Sequence, residues 1–170
     1  MNTTATATLG EQLISQSTTD ARLLPGAEGG EAWIGFLRSH AVLLRLLDTE
    51  LRREAHLPLA DFDVLIQLAL ANEGALRMTD LAHRTLVSRS GMTRRVAQLE
   101  RDGLVTRCSA TGDGRSVRAS LTPIGEEVLR RAVPVHTRGI ERHFLRKLTP
   151  TQLAELGESV TALQADCDFG

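Results

Sequence analysis

The segment SRSGMTRRVAQLERDG, from Ser88 to Gly103, constrains the fold more than any other part of the chain. Met92, Val96 and Leu99 recur at helical spacing, which predicts a helix with one face in a hydrophobic core. Ser88 is a good N-cap for this helix, and Gly103 suits its end. Hydroxyl and guanidinium groups occupy the other faces. The pattern predicts a helix that is fixed in a core and presents a polar N-terminal end outward.

A short helix and a hairpin flank this segment. The stretch TDLAHRTL, which begins at Thr79, repeats apolar residues at helical spacing. Residues 104–110 and 116–121 are predicted as strands, and TGDG at 111–114 supplies the glycines and aspartate of a tight turn. Helix, turn, helix and hairpin, in this order, predict a winged helix-turn-helix.

Two more helices are predicted upstream. Residues 31–55 carry an apolar stripe, and residues 59–72 form a second helix up to NEG, where Gly74 suits a helix C-terminus. Residues 76–78 form a short extended stretch. The stripe of the first helix consists of Trp33, Leu37, His40, Leu44, Leu47 and Leu51.

Two helices are also predicted downstream of the hairpin. Thr122-Pro123 combines an N-cap with proline at the first helical position, which begins a long helix to about Leu148, with a kink near Pro134. A capping box at residues 149–152 begins the last helix. Its apolar residues form a narrow seam suited to pairing with another helix, namely Leu153, Leu156, Val160 and Leu163.

Charge is distributed unevenly along the 170 residues. The formal net charge of the whole chain is −1. Between Ser88 and Arg118, however, seven arginines stand against three acidic residues, so this segment carries +4. Such asymmetry indicates contact with nucleic acid. A solvated basic face is the alternative, and charge alone leaves both open.

Several function classes are not favoured. Cys108 and Cys167 form no CxxC pattern, so a disulfide framework is not expected, and a reducing cytoplasm is the simpler location. No apolar run has the length of a membrane span, and the N-terminus has no signal-peptide pattern. We find no nucleophile–base pair, phosphate loop or metal cluster, and therefore expect no enzyme activity, cofactor or metal.

The predicted helix-turn-helix explains the polar groups around Ser88. The major groove of DNA admits one helix, whose N-terminal residues reach the base edges. Arg94 lies opposite the apolar face of this helix, and Arg115 at the hairpin is placed for a narrow minor groove. Asp113 would bond the turn backbone or hold an arginine. The expected DNA contacts are Thr79, Ser88, Arg89, Ser90, Thr93, Arg94, Arg95, Gln98, Asp113 and Arg115.

Residues 31–166 resemble the MarR (multiple-antibiotic-resistance-regulator) family of bacterial transcription factors. The resemblance is carried by LRMTDLAHRTLVSRSGMTRRVAQLERDGLVTR and by GDGRSVRASLTPIG, whose wing motif is Asp113, Arg115, Leu121, Thr122 and Gly125. It implies a repressor that binds a pseudo-palindromic operator on double-stranded DNA as a homodimer. The chain departs from the family pattern where Gly114 interrupts the arginines of the wing and where Ala97-Gln98 replaces charged residues.

The expected fold is mainly helical with a small β-hairpin wing. It combines a winged helix-turn-helix lobe with a dimerisation region built from the N- and C-terminal helices. The predicted parts are a flexible extension at 1–30, a dimerisation helix at 31–58, the DNA-binding lobe at 59–122 and C-terminal dimerisation helices at 123–170.

The resemblance also implies release from DNA by a small-molecule effector, such as a phenolic or lipophilic anion. Trp33 and His40 would supply an aromatic wall and a polar group, and Arg38 and Asp63 are further candidates. The alternative is that Trp33 and His40 belong to a dimer core. His136 and His143 face similarly, but no third metal ligand accompanies them.

Two other regulatory modes stay open from the sequence. In a thiol-redox regulator of the same fold, oxidation of Cys108 in a wing strand would disturb DNA contact. The alternative for Cys108 is a small buried apolar residue. A winged helix used only for protein–protein contact would lack the exposed arginines and hydroxyls that this sequence has.

Overall fold

The computed structural model describes residues 27–109 and 117–165. The chain divides into two compact units, residues 1–42 and 43–170, and the boundary falls within helix α1 (Ala27–Ala55). In the described part of the first unit, residues 31–42 of α1 are exposed to solvent.

The second unit contains the elements of the predicted winged helix-turn-helix, so the expected fold class is confirmed. Of the described helices, none combines the length and apolar character needed to cross a membrane. After α1 come α2 (Leu59–Ala69), β1 (Ala75–Arg77), α3 (Met78–Arg84), α4 (Arg89–Arg101), β2 (Val105–Ser109), β3 (Val117–Leu121), α5 (Pro123–His143), a 3₁₀ turn (Leu145–Lys147) and α6 (Pro150–Ala165).

The three strands form one antiparallel sheet in the order β1-β3-β2. Leu76 of β1 lies opposite Ala119 of β3, and both are buried. Val105 of β2 pairs with Leu121 and is also buried. One face of the sheet therefore covers the helical core, while β2 and β3 extend outward as the arms of the hairpin.

The core of the second unit forms around α4 as the sequence predicts. Met92, Val96 and Leu99 are fully buried, together with Leu65 of α2 and Leu81 of α3. Burying an aliphatic side chain of this size contributes about 1.5–3 kcal/mol. These contacts hold α4 against α2 and α3, which fixes where its polar faces point.

Local capping signals place the starts of three helices. The Ser88 hydroxyl accepts a hydrogen bond from the Gly91 amide at 3.2 Å, which caps α4. The Thr122 hydroxyl caps α5 by accepting from the Gly125 amide at 3.0 Å. At α6, Thr149 and Gln152 exchange the two hydrogen bonds of the predicted capping box.

Two predicted helix ends are wrong. Helix α5 ends at His143 and not near Leu148, because Phe144 leaves helical geometry at φ −125° and a 3₁₀ turn follows. The apolar spacing continues through these residues, so periodicity alone does not detect the end. Helix α2 ends at Ala69 and not at Asn72, with Gly74 in the left-handed region at φ 65°. Pro134 lies inside α5, and the kink stays a prediction.

Candidate nucleic-acid interface

Helix α4 separates a buried face from an exposed one. Exposed polar side chains that the sequence predicts as contacts lie at its N-terminal end and on the face opposite the buried apolar residues. In the described part of the chain, Arg89 and Arg94 form no ion pair. Their guanidinium groups are therefore available to an anion. The exposed set comprises Ser88, Arg89, Ser90, Thr93, Arg94 and Gln98.

The hydroxyls at the start of α4 are partly engaged with their own helix. Ser88 caps the helix, and its oxygen lies 3.4 Å from the Ser90 hydroxyl. Thr93 donates to the Arg89 carbonyl at 2.9 Å. The N-terminal end of a helix also presents free backbone N–H groups and a partial positive charge. The start of α4 is thus an ordered, electropositive surface suited to phosphate oxygens.

An open groove of about 650 Å³ runs along the turn between α3 and α4. Thr79 of α3 and Ser88 and Arg89 of α4 line it, together with Leu86 of the turn. Leu86 adopts a positive φ of 55° and is 78% exposed. The groove thus joins the predicted contact Thr79 to those at the start of α4.

Two polar residues farther along α4 have partners on the same helix. The Gln98 amide donates to both carboxylate oxygens of Asp102, at 2.9 and 3.0 Å. Arg101 donates to the Ala97 carbonyl at 3.3 Å. The Gln98 amide is thus held along the helix surface, with its side chain exposed.

Arg95 differs from the other predicted contacts on α4. Its Nη1 donates to the Asp61 carboxylate of α2 at 2.6 Å, and its side chain is only 34% exposed. Its Nε is buried without a hydrogen-bond partner among the described residues. The sequence does not reveal this pair, because Asp61 lies 34 residues away and outside the basic segment.

Two arginines of the hairpin strands are also paired with acids. Arg107 of β2 binds Glu100, with Nε 2.8 Å from the carboxylate, and this guanidinium lowers the pKa of Glu100. Arg118 of β3 lies 2.5 Å from Glu73 and 3.0 Å from the Ala75 carbonyl. The +4 counted along the sequence therefore overstates the free positive charge, because Asp61 and Glu73 approach from outside the segment.

The tip of the wing lies outside the described residues. This applies to the predicted contacts Asp113 and Arg115, to the predicted turn at 111–114, and to Cys167. Cys108, in β2, is exposed. The alternative of a small buried residue is therefore wrong for Cys108. Of β2, Val105 faces the core, and the strand leaves the core before it reaches Cys108.

The four predicted effector residues are divided between the two units. Trp33, Arg38 and His40 are exposed on α1 in the first unit. The ring of Phe36, which the sequence analysis missed, stacks between those of Trp33 and His40, with centroid distances of 6.4 and 6.5 Å. Phe36 follows Trp33 by three residues and precedes His40 by four, and this helical spacing could have predicted the stacking.

Asp63, the fourth predicted effector residue, lies in the second unit. It is half-buried, and burial raises its pKa while the nearby Arg95 opposes the rise. The two histidines considered as metal ligands have other neighbours. The ring centroids of His136 and Phe62 lie 4.4 Å apart, and burial lowers the pKa of His136. The Nε2 atom of His143 lies 2.9 Å from the Glu50 carboxylate. No group of three or more metal-ligating side chains occurs among the described residues.

Among the described residues, the apolar side chains of the predicted α6 seam are only partly buried. Leu153, Leu156 and Val160 are half-buried, and Leu163 is 65% exposed.

Known proteins resemble this chain in sequence and in fold. A family model described as MarR family matches residues 57–116, from α2 to the wing. A MarR family transcriptional regulator from Streptomyces coelicolor, crystallised in complex with DNA, is 35% identical with a TM-score of 0.76. The match covers 81% of this chain and 90% of that one. The chain belongs to the MarR family.

Two other relatives agree with this assignment. AbsC, a MarR family transcriptional regulator from Streptomyces coelicolor, is 30% identical, has a TM-score of 0.76 and is matched over 93% of its length and 81% of this chain. An uncharacterised HTH-type transcriptional regulator from Bacillus cereus is 33% identical over 88 residues. That alignment spans 52% of this MarR family chain and 56% of the relative. The predicted resemblance is confirmed.

Proposed function

We propose that this MarR family chain is a sequence-specific DNA-binding transcriptional regulator. The observation that carries the proposal is α4, whose apolar face is fully buried while its capped N-terminal end exposes hydroxyls and unpaired arginines among the described residues. A helix held in this way fits the major groove. The relative that is 35% identical was crystallised with DNA, which supports the same role here.

The proposed contacts divide between base edges and phosphates. Arg94 is the residue that we assign to a base edge, since it is exposed opposite the core and arginine can bind guanine at two atoms. Hydroxyls and backbone amides at the start of α4 would hold phosphates. Further proposed contacts are Thr79, Ser88, Arg89, Ser90, Thr93 and Gln98, with Asp113 and Arg115 on the wing.

We infer that the regulator acts as a homodimer on a pseudo-palindromic operator. Apolar surface on α6 supports this, because Leu163 is exposed and Leu153, Leu156 and Val160 are only half-buried. On α1, Trp33 is 51% exposed. Two copies would cover these residues and present two α4 helices to two half-sites.

We further propose that the protein is a cytoplasmic repressor that a small phenolic or lipophilic anion releases from DNA. Family membership and the stacked rings of Trp33, Phe36 and His40 on α1 support an aromatic effector. Arg38 would pair with its anionic group, and Asp63 is the fourth candidate. Effector screening by release of DNA, with Trp33→Ala as the variant that loses the response, tests this part.

A mobility-shift assay with DNA from upstream of the chain's own gene tests the proposed function. We expect a discrete complex that unlabelled specific DNA displaces and scrambled DNA does not, followed by a footprint with two-fold symmetry. Arg94→Ala should lose the complex, whereas Arg130→Ala, an exposed arginine of α5, should keep it. Equal binding to specific and scrambled DNA would contradict a sequence-specific regulator.

A further inference from the structure

Arg95 and Asp61 connect two helices of the DNA-binding lobe. Asp61 lies in the first turn of α2, and Arg95 lies midway along α4. Their ion pair is short, with 2.6 Å between Nη1 and Oδ1, and the two side chains are 34% and 19% exposed. This pair is therefore less hydrated than the surface ion pairs that contribute little to stability.

Helix geometry directs Arg95 away from where Arg94 points. Arg95 follows Met92 by three residues and precedes Leu99 by four, so it stands beside the buried stripe of α4. Arg94 is rotated about 100° from it, on the exposed face. The two neighbouring arginines thus face different surroundings, α2 for Arg95 and solvent for Arg94.

The guanidinium of Arg95 is hydrogen-bonded to Asp61, and the half-buried carboxyl of Asp63 lies nearby. The Nε of Arg95 is buried and has no hydrogen-bond partner in the described residues. A charge that is partly removed from water is costly unless an opposite charge accompanies it. Moving Arg95 outward to a phosphate would break its hydrogen bond to Asp61 of α2.

We propose that Arg95 is a positioning residue, which sets the rotation of α4 through Asp61 so that Arg94 and its neighbours meet the base edges. The inference rests on the proposed DNA-binding function. Apolar contacts hold α4 in place but are not directional. A hydrogen-bonded ion pair at the edge of the apolar stripe has a defined geometry, and recognition of bases tolerates only small angular errors.

The test compares Asp61→Asn, Arg95→Gln and the double variant in anisotropy titrations on operator and scrambled duplexes. Each single variant should weaken operator binding by roughly threefold to thirtyfold, with the double variant no weaker than either. Binding to scrambled DNA and the salt dependence should not change. Asp61→Glu should restore part of the loss. The control is Glu141→Gln with Arg146→Gln, an exposed ion pair at the end of α5, which should change nothing.

Other outcomes would overturn the inference. If Arg95 holds a phosphate, Arg95→Gln weakens both duplexes and makes the salt slope shallower, while Asp61→Asn does not weaken binding. If the pair serves stability alone, melting temperatures fall but operator affinity below the melting range is unchanged. Should Asp61→Asn fail to fold, Arg95→Lys and Asp61→Glu are compared instead. A wild-type protein that does not discriminate operator from scrambled DNA would contradict the proposed function and this inference together.

Discussion

At the scale of single residues, burial decides how the polar groups of the lobe behave. Arg94 and Arg95 are neighbours in the sequence, yet one is exposed and the other is paired with Asp61. The sequence could predict that Arg94 faces outward, because the apolar spacing fixes the exposed side of α4. It could not predict the pairing of Arg95, since Asp61 lies on another helix and no local sequence pattern connects the two residues.

Asp63 offers a test of burial at this scale. Burial raises its pKa above the ordinary 3.8, so the ionised carboxylate costs the folded state stability. We expect Asp63→Asn to raise the free energy of unfolding at pH 7. The gain should shrink as the pH falls through the raised pKa and vanish below about 3.8, where the carboxyl is protonated in both states. Urea unfolding at several pH values measures this, and a less stable variant at pH 7 would contradict it.

At the scale of elements, local capping signals in the sequence predicted where helices begin better than where they end. Ser88, Thr122 and Thr149 each make the cap that the sequence indicates, because a cap involves residues only three apart. The end of α5 at His143 was not predictable, since its apolar spacing continues beyond the helix. The stacking of Phe36 on Trp33 and His40 was missed although its spacing is helical.

Gly125 marks a close approach between α5 and the turn after α4. A Cβ on Gly125 would lie 2.0 Å from the Leu104 carbonyl oxygen, which is backbone and cannot easily move. We expect Gly125→Ala to destabilise the fold by about 1–3 kcal/mol or more. Gly157→Ala is the control, because among the described residues nothing lies within 4 Å of that position on α6. Thermal unfolding that ranks the two variants equally would argue against this packing.

At the scale of the whole molecule, we expect a homodimer, because the apolar seam of α6 needs a second copy of the chain to cover it. The seam of α6 leaves Leu163 exposed, and removing residues 149–170 would delete that surface together with the helix. We expect the full chain to sediment as a dimer, and the chain truncated at residue 148 to be unstable or aggregated. A stable, folded monomer of the full-length chain in sedimentation would contradict the dimer.

The central claim is that α4 reads base sequence through Arg94, and fluorescence anisotropy on operator and scrambled duplexes tests it most directly. With roughly six to ten phosphate contacts per dimer, log K against log[salt] should have a slope of about −5 to −9 for the wild type. Arg94→Ala should cost about 1–3 kcal/mol per half-site on the operator and much less on scrambled DNA. Arg115→Ala should instead weaken both duplexes and make the slope shallower by about one per wing. An equal loss on both duplexes for Arg94→Ala would make Arg94 a phosphate contact and contradict the claim.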